Sequence, residues 1–334
     1  MQDFEKSTSR AQVHRLRNLA VNVIGRYPVS VAGIRFLHHA ENTTFRIDGR
    51  SGDRFLLRVH RNGYHTASAI EDEVRWLERL SQDSELVVPA PVRSRNGNLV
   101  ESGSAAGVPA PRNCTLMRWL EGRFSRRRLT VQAVFGLGRA IASLHAKHNQ
   151  MRVTRRQYWN AEGLVGLQPK LGAVEALTGA TQRQQTIINE ARRRVHRELS
   201  DFEAQFPSRL GLIHADLHFG NILFRGDRPV LIDFDDSGLG LYEYDLAVPL
   251  ISLQDRADSG RIRAFAEYKD ALLSGYASSG RWDNHSERII PYLIAARKIA
   301  MLGWLQSRSD HPGLLAYLQE TIPKRTRELQ TLLR

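Results

Sequence analysis

Ile213-His214-Ala215-Asp216-Leu217-His218-Phe219-Gly220-Asn221, followed by Leu231-Ile232-Asp233-Phe234-Asp235-Asp236, is the stretch that decides the fold. Leu212 and Ile213 bring the chain in as a short buried strand, and the run from His214 to Gly220 is too rich in polar and turn residues to continue it. A loop is therefore expected there. Asn221 to Phe224 reads as a strand, Gly226-Asp227-Arg228-Pro229 as a turn, and Val230-Leu231-Ile232 as the returning strand of a hairpin. Such a hairpin carries Asn221 and Asp233 at one end, with Asp216 upstream on the loop.

These residue types have a chemical meaning together. Asn221 and Asp233 offer hard oxygen donors of the kind magnesium prefers, and Mg²⁺ keeps much of its water shell for phosphate. Asp216 is free of that duty and can take a proton. Phosphoryl transfer asks for this set: a carboxylate beside the attacking hydroxyl, an amide oxygen on a metal, and a second carboxylate between metal and phosphates.

The pattern H-x-D-x-x-x-x-N, the later I-D-F-D, and Tyr244-Asp245-Leu246-Ala247 downstream resemble the kinase-like phosphotransferases. That family includes aminoglycoside phosphotransferases, choline kinase, type II homoserine kinase and a bacterial stress-response protein kinase. The resemblance runs from about Val31 to the region near Trp304. It implies a bilobal, protein-kinase-like α+β fold, with a small antiparallel-sheet lobe over residues 1–117 and a mostly helical lobe over 118–334 that binds the acceptor. It also implies Asp216 as catalytic base, Asn221 and Asp233 as magnesium ligands, His214 as a hydrogen-bonding support of the loop, and Asp245 as a carboxylate that braces it.

The upstream half fits the same scheme. Phe55 to His60 is an apolar strand carrying Arg58, and Ile70, Val74, Leu77 and Leu80 form a helical stripe with Glu73 beside it. In kinase-like folds a strand cation holds the nucleotide phosphates and a helix carboxylate orients it, roles that fall here to Arg58 and Glu73. Arg58 departs from the Lys of protein and aminoglycoside kinases, although some choline-kinase-like and homoserine-kinase-like relatives carry Arg. The phosphate loop also departs from the pattern. It has no G-x-G-x-x-G and reads Glu41-Asn42-Thr43-Thr44-Phe45, where backbone N–H groups and the side chains of Asn42, Thr43 and Thr44 are expected to cradle phosphate. Between the lobes, Cys114 to Gly122 is an apolar strand ending at a glycine. The resemblance makes it the hinge, with the backbone of Met117 to Trp119 reading adenine and Met117 lining the pocket.

The chain has 334 residues, 42% of them apolar, enough for one large or two smaller globular units. Its single cysteine, Cys114, excludes an intrachain disulfide and fits a reducing compartment. Arg297 and Lys298 interrupt the longest apolar run, and the start lacks a signal pattern, so cytoplasmic residence is expected. The net charge is +13, yet residues 201–245 hold nine acidic and three basic residues, an acidic island around the motif. The arginine runs at 126–128, 155–156 and 192–194 either steer ATP, contact nucleic acid or are solvated faces; the last reading is the simplest.

A helix is expected over about Thr8 to Arg26, strands near Val31 to Leu37, Phe45 to Ile47, Val92 and Leu116, and loops at Pro89 to Pro91 and Gly103 to Pro111. Further helices are expected from Val131 and over Ile187 to Phe202. His214-x-Asp216-x-His218 admits a metal-hydrolase reading, which leaves Asn221 and the LIDFDD segment unexplained. Gly136-Leu137-Gly138 mimics a dinucleotide fingerprint without its third glycine and is read as packing. Asp235 and Asp236 admit metal, substrate or surface roles. Trp119, Tyr242, Trp282 and Trp304 are read as core before pocket. The expected activity is ATP-dependent phosphorylation of a hydroxyl on a small molecule of aminoglycoside, homoserine or choline type, with no membrane partner. The alternatives are a bacterial protein Ser/Thr kinase of the stress-response type and a non-catalytic scaffold binding nucleotide or nucleic acid.

Overall fold

Leu16, Leu19, Ala20, Val23 and Ile24 recur at the three- and four-residue spacing of one helix face, and all are buried in helix α1, Ser9–Ile24. Thr8 caps that helix by accepting the Ala11 N–H. The computed structural model describes residue 4 and residues 6–125, 129–146, 155–278, 280 and 282–333. The arginine run at 126–128 lies outside them. Among the described residues no helix is long and apolar enough to cross a membrane.

The described chain divides into two compact units. The first takes residues of Met1–Gly122 and Val153–Arg155 together with Val230–Asp235. After α1 it contains β1, Val31–His39; β2, Thr43–Gly49; β3, Arg54–Val59; helix α2, Ala67–Leu80; β4, Glu101–Gly103; and β5, Arg112–Arg118. The strands form one antiparallel sheet ordered β1-β2-β3-β5-β4. Alternation does the work of burial: Phe45 and Ile47 of β2, and Leu57 and Val59 of β3, point into a core closed by α1, Tyr27, Cys114 and Leu116.

Two expectations fail locally here. Val92 lies outside any strand, and its neighbour Pro91 makes an isolated bridge to Met117. The prolines at 89 and 91 lack the N–H donors that a ladder needs. Conversely, β4 occupies Glu101–Gly103 and pairs with β5, so the loop expected from Gly103 starts at the end of a strand.

The second unit is mainly helical. It opens with β6, Arg123–Phe124, and α3, Val131–Ala146, followed by β7, Gln157–Trp159, α4, Ala161–Val165, and α5, Gln182–Gln205. A capping box between Thr181 and Gln184 starts α5, satisfying two N–H groups at once. Next come β8, Leu210–Ile213; β9, Ile222–Arg225; β10, Arg228–Leu231; and β11, Gly238–Leu241. The expected hairpin forms in a sheet ordered β10-β9-β6, but its turn is only Gly226-Asp227: Arg228 and Pro229 belong to β10, and Ile232 lies past its end. Helices α6, Tyr244–Asp258; α7, Phe265–Ala277; α8, Asn284–Gln306; and α9, Pro312–Leu333 complete the unit. Residues of α4, α5, α6, α8 and α9 share its main core.

The Gly136-Leu137-Gly138 segment lies inside α3 and serves packing. A Cβ on Gly138 would sit 2.1 Å from the Leu272 carbonyl oxygen of α7, and one on Gly275 would sit 2.1 Å from the Phe135 carbonyl oxygen. Two helices meet backbone to backbone at these glycines.

Candidate active site

In the first unit, Arg58 stands on β3 at the centre of three carboxylates. Nη1 donates to Glu73 Oε1 at 2.9 Å and lies 3.5 Å from Asp235 Oδ1, while Nη2 donates to Asp233 Oδ1 at 3.0 Å. The Glu73 side chain is 0% exposed and that of Arg58 8%, so the pair is buried and Glu73 is no ordinary surface helix residue. Burial opposes charge on Arg58, but Glu73, Asp233 and Asp235 outweigh it and hold its pKa above the ordinary value. Helix α2 presents Glu73 because the helix starts at the Thr66 cap and buries the stripe Ile70, Val74 and Leu77.

The segment after β10 is anchored to the same unit. The Leu231 N–H donates to the Val87 carbonyl at 2.9 Å, and Phe234, fully buried, meets Trp76 of α2 edge-on at 5.6 Å. Asp233, between those anchors, has φ +61° and a side chain 51% exposed. A non-glycine residue in the left-handed region costs about 1–3 kcal/mol and persists where its surroundings impose it. The anchors on either side therefore fix the carboxylate that the sequence singled out. Asp235 is tied in place as well, since Asn42 Nδ2 donates to its Oδ2 at 2.9 Å.

That bond defines the phosphate-loop residues. Asn42 uses its amide within the protein, its Oδ1 accepting the Arg61 N–H at 3.1 Å, and the Thr43 hydroxyl is paired with His39 Nδ1 at 2.7 Å. Their side chains thus brace the loop from within. At the expected hinge, Met117 is buried, the Arg118 N–H donates to the Ala90 carbonyl at 2.7 Å and the Trp119 N–H to the Arg54 carbonyl at 3.0 Å. Both donors are thus already engaged within the protein.

In the second unit, strand β8 delivers the loop. Asp245, at the start of α6, accepts the His214 N–H at 2.8 Å and the Ala215 N–H at 2.7 Å. His145 of α3 reaches the same carboxylate at 3.1 Å and Tyr276 at 3.0 Å. Asp245 therefore braces the loop, with Ala215 held at φ +67°. The Asp216 N–H donates to His214 Nδ1 at 3.3 Å and the Gly220 N–H to His218 Nδ1 at 2.9 Å, so each ring commits a nitrogen to the loop. A hydrolase that used both of these nitrogens as ligands would have to break the loop first. Tyr242, read as core before pocket, is buried with its ring 4.7 Å from His145.

Asp216 follows, with two partners of opposite purpose. Asn221 Nδ2 donates to its backbone carbonyl at 2.9 Å and to Oδ2 at 3.0 Å. With its nitrogen so committed, Asn221 has only Oδ1 to offer elsewhere. Arg297 of α8 forms an ion pair with Asp216 Oδ1. Burial would raise the Asp216 pKa, but Arg297 first, then His218 and His214, bring it down to about 2. Arg297 was not foreseen as part of the site; its only signal was a charged residue in the otherwise apolar stripe Ile290, Leu293 and Ala300.

Arginines of the two described runs find structural employment. Arg155 donates to both oxygens of Asp72, and Arg156 donates to the Ser237 carbonyl at 2.8 Å. Arg192 donates to the Val165 carbonyl at 2.9 Å.

With this geometry in place, comparison with known proteins is informative. Residues 33–286 match the phosphotransferase enzyme family, more than half of the chain. A homoserine kinase of Rhodopseudomonas palustris is 30% identical over 268 residues, covering 76% of this chain and 76% of that enzyme. An amicoumacin kinase of Bacillus subtilis is 23% identical over 303 residues, covering 85% and 83%. Three further homoserine kinases align over 58–62% of their own length. Among solved structures, a microcompartment-associated aminopropanol kinase superposes with a TM-score of 0.81 at 28% identity, over 95% of this chain and 97% of its own. An amicoumacin kinase in complex with AMP-PNP, Ca²⁺ and Ami shares the fold at a TM-score of 0.77 and 20% identity, over 96% of each chain.

Proposed function

The chain belongs to the phosphotransferase enzyme family, and from that premise we propose that it moves the γ-phosphoryl group of ATP onto an alcohol of a small molecule. The observation that carries this reading is the state of Asp216: a carboxylate held ionised by Arg297, fixed by Asn221, on a loop clamped by Asp245. It accepts the proton of the acceptor hydroxyl as the acceptor oxygen bonds to the γ-phosphorus. The bond from that phosphorus to the β–γ bridging oxygen breaks, and ADP leaves with the electron pair. A base with so low a pKa takes its proton late, so its first contribution is to orient the hydroxyl in line.

Arg58, oriented by Glu73, is the phosphate clamp in this reading. Asn221 Oδ1 and the exposed Asp233 carboxylate are the donors that fit magnesium, hard oxygens of the kind that ion takes. When bound, the ion neutralises charge on the β- and γ-phosphates. Because the Arg118 and Trp119 N–H groups are engaged, adenine is read by the Leu120 N–H and by hinge carbonyls, one residue beyond the expected donors. The small-molecule class of acceptor rests on the relatives, which are named for homoserine, amicoumacin and aminopropanol.

Transfer of γ-labelled phosphate from MgATP into fractionated cell extract tests the proposal, with Asp216→Asn as control. Label is expected in small molecules and falls on the order of 10³-fold in the variant. Label confined to proteins would transfer the activity to a protein kinase, and undiminished transfer by Asp216→Asn would end the assignment of the base.

A further inference from the structure

Beside the catalytic loop, and formed entirely within the second unit, lies a cavity of about 450 Å³. His218 is one of its walls, and its Nε2 lies 3.4 Å from Asp216 Oδ2. Because His218 Nδ1 accepts the Gly220 N–H, the neutral ring carries its proton on Nε2, toward that carboxylate. The cavity therefore shares a side chain with the carboxylate taken above as the base.

The lining also carries cations. Arg256, in the last turn of α6, and Arg261, just beyond it, both line the cavity. Arg256 donates to the Ser125 carbonyl and stacks 4.6 Å from the centre of the Phe219 ring, which fixes its plane. Among the described residues, neither guanidinium forms an ion pair with a carboxylate. Burial first, and then the neighbouring Arg261, push the Arg256 pKa down. The carboxylate in the same lining, Asp255, is already engaged: Lys324 lies 3.4 Å from it and 3.5 Å from Asp258.

A half-buried, pre-oriented guanidinium beside a second one is a receptor for an oxyanion, since the planar fork matches carboxylate and phosphate oxygens. We propose that this cavity is the acceptor subsite for an anionic group, so that the molecule phosphorylated is an alcohol bearing a carboxylate or a phosphate ester. The inference rests on the reading of Asp216 as the base. The Arg256 and Arg261 pair holds the anion and turns the hydroxyl end of the same molecule toward His218 and Asp216. Alcohols whose only charge is an ammonium bind poorly there.

The test is a calorimetric titration of the full chain, with its nucleotide site saturated by MgADP, using two probes that differ only in the anion: glycerol 3-phosphate and glycerol. Glycerol 3-phosphate is expected to bind at least tenfold more tightly. Arg261→Gln, at an exposed position, is expected to weaken it at least fivefold, and Arg256→Gln more, with glycerol unaffected. Melting curves of both variants check that they fold. Equal binding of the two probes, no binding of either, or unchanged affinity in a folded Arg261→Gln protein overturns the proposal. A parent that binds glycerol 3-phosphate but not MgADP would remove the phosphotransferase reading and leave the anion site standing.

Discussion

Replacing Arg297 with Met should change the pH dependence of catalysis more than its plateau. Asp216 stands at about 2 against an ordinary 3.8, a depression worth roughly 2.5 kcal/mol at 1.36 kcal/mol per pH unit. Burial acts in the opposite direction and Arg297 is the largest of the groups that offset it, so without Arg297 the pKa rises. In the parent the depressed pKa contributes stability that is fully present above pH 3.8 and lost as pH falls toward 2. The variant lacks that contribution at neutral pH, and removing one partner of a buried pair costs about 3–5 kcal/mol. The assays are urea melts at pH 7 and kcat/KM for phosphate transfer from pH 4.5 to 8.5. The parent should show no acid limb from Asp216 in that range, whereas the Met variant should lose activity toward acid and regain it toward pH 8. An Arg297→Lys protein should fall between them. A uniform loss across the range would refute the electrostatic role and place Arg297 on the substrate instead.

Arg58→Lys should keep a contact to Glu73 but release Asp233, weakening MgATP binding about tenfold by nucleotide titration; unchanged affinity would remove Arg58 from the phosphate clamp. Gly138→Ala places a Cβ 2.1 Å from the Leu272 carbonyl, so α3 and α7 must separate, with a loss of about 2–4 kcal/mol in urea melts. A change under about 0.5 kcal/mol would mean the helices give way freely. Burial raises Glu203 from 4.5 to about 7, against the pull of the Ala161 N–H at 2.8 Å. Its raised pKa means that stability is highest below pH 4.5 and is lost as pH rises through about 7. Glu203→Gln should therefore stabilise the protein by on the order of 1–3 kcal/mol at pH 8 and by little at pH 5. Equal effects at both values would show that the carboxyl titrates normally.

What could be read from the sequence was what is local in it. The loop, the hairpin strands and the bracing by Asp245 sit within a few dozen residues, where turn composition and apolar runs speak directly. The Arg58 and Glu73 pair was legible because β3 and α2 adjoin in the chain. Arg297 was not, since it meets Asp216 from 81 residues away and appeared only as a charge interrupting an apolar run. His145 was hidden in the same way on the buried face of α3, although it joins Asp245 to Tyr276. Both are polar groups on a buried helix face, and the cost of leaving such groups unpaired is the signal that a partner exists. The sequence does not say which partner, because that depends on tertiary packing. The partners of Asn42 and Thr43 met the same limit: their types suited phosphate, and the contacts with Asp235, Arg61 and His39 could not be read from them.

The carboxylates of Asp233 and Asp216 share an electrostatic device. Each unit contains one of them together with its own guanidinium, Asp233 with Arg58 and Asp216 with Arg297. Each acid therefore has a cationic partner within its own unit. The arrangement also accounts for Arg in place of the Lys found in related kinases. An ammonium is a point charge, whereas the guanidinium presents separate nitrogens, and Arg58 directs Nη1 to Glu73 while Nη2 holds Asp233. One residue thereby links the helix carboxylate to the metal-ligand candidate before nucleotide arrives. If the roles proposed for Arg58 and Asp233 hold, MgATP would have to draw the two apart, exchanging one ion pair for two.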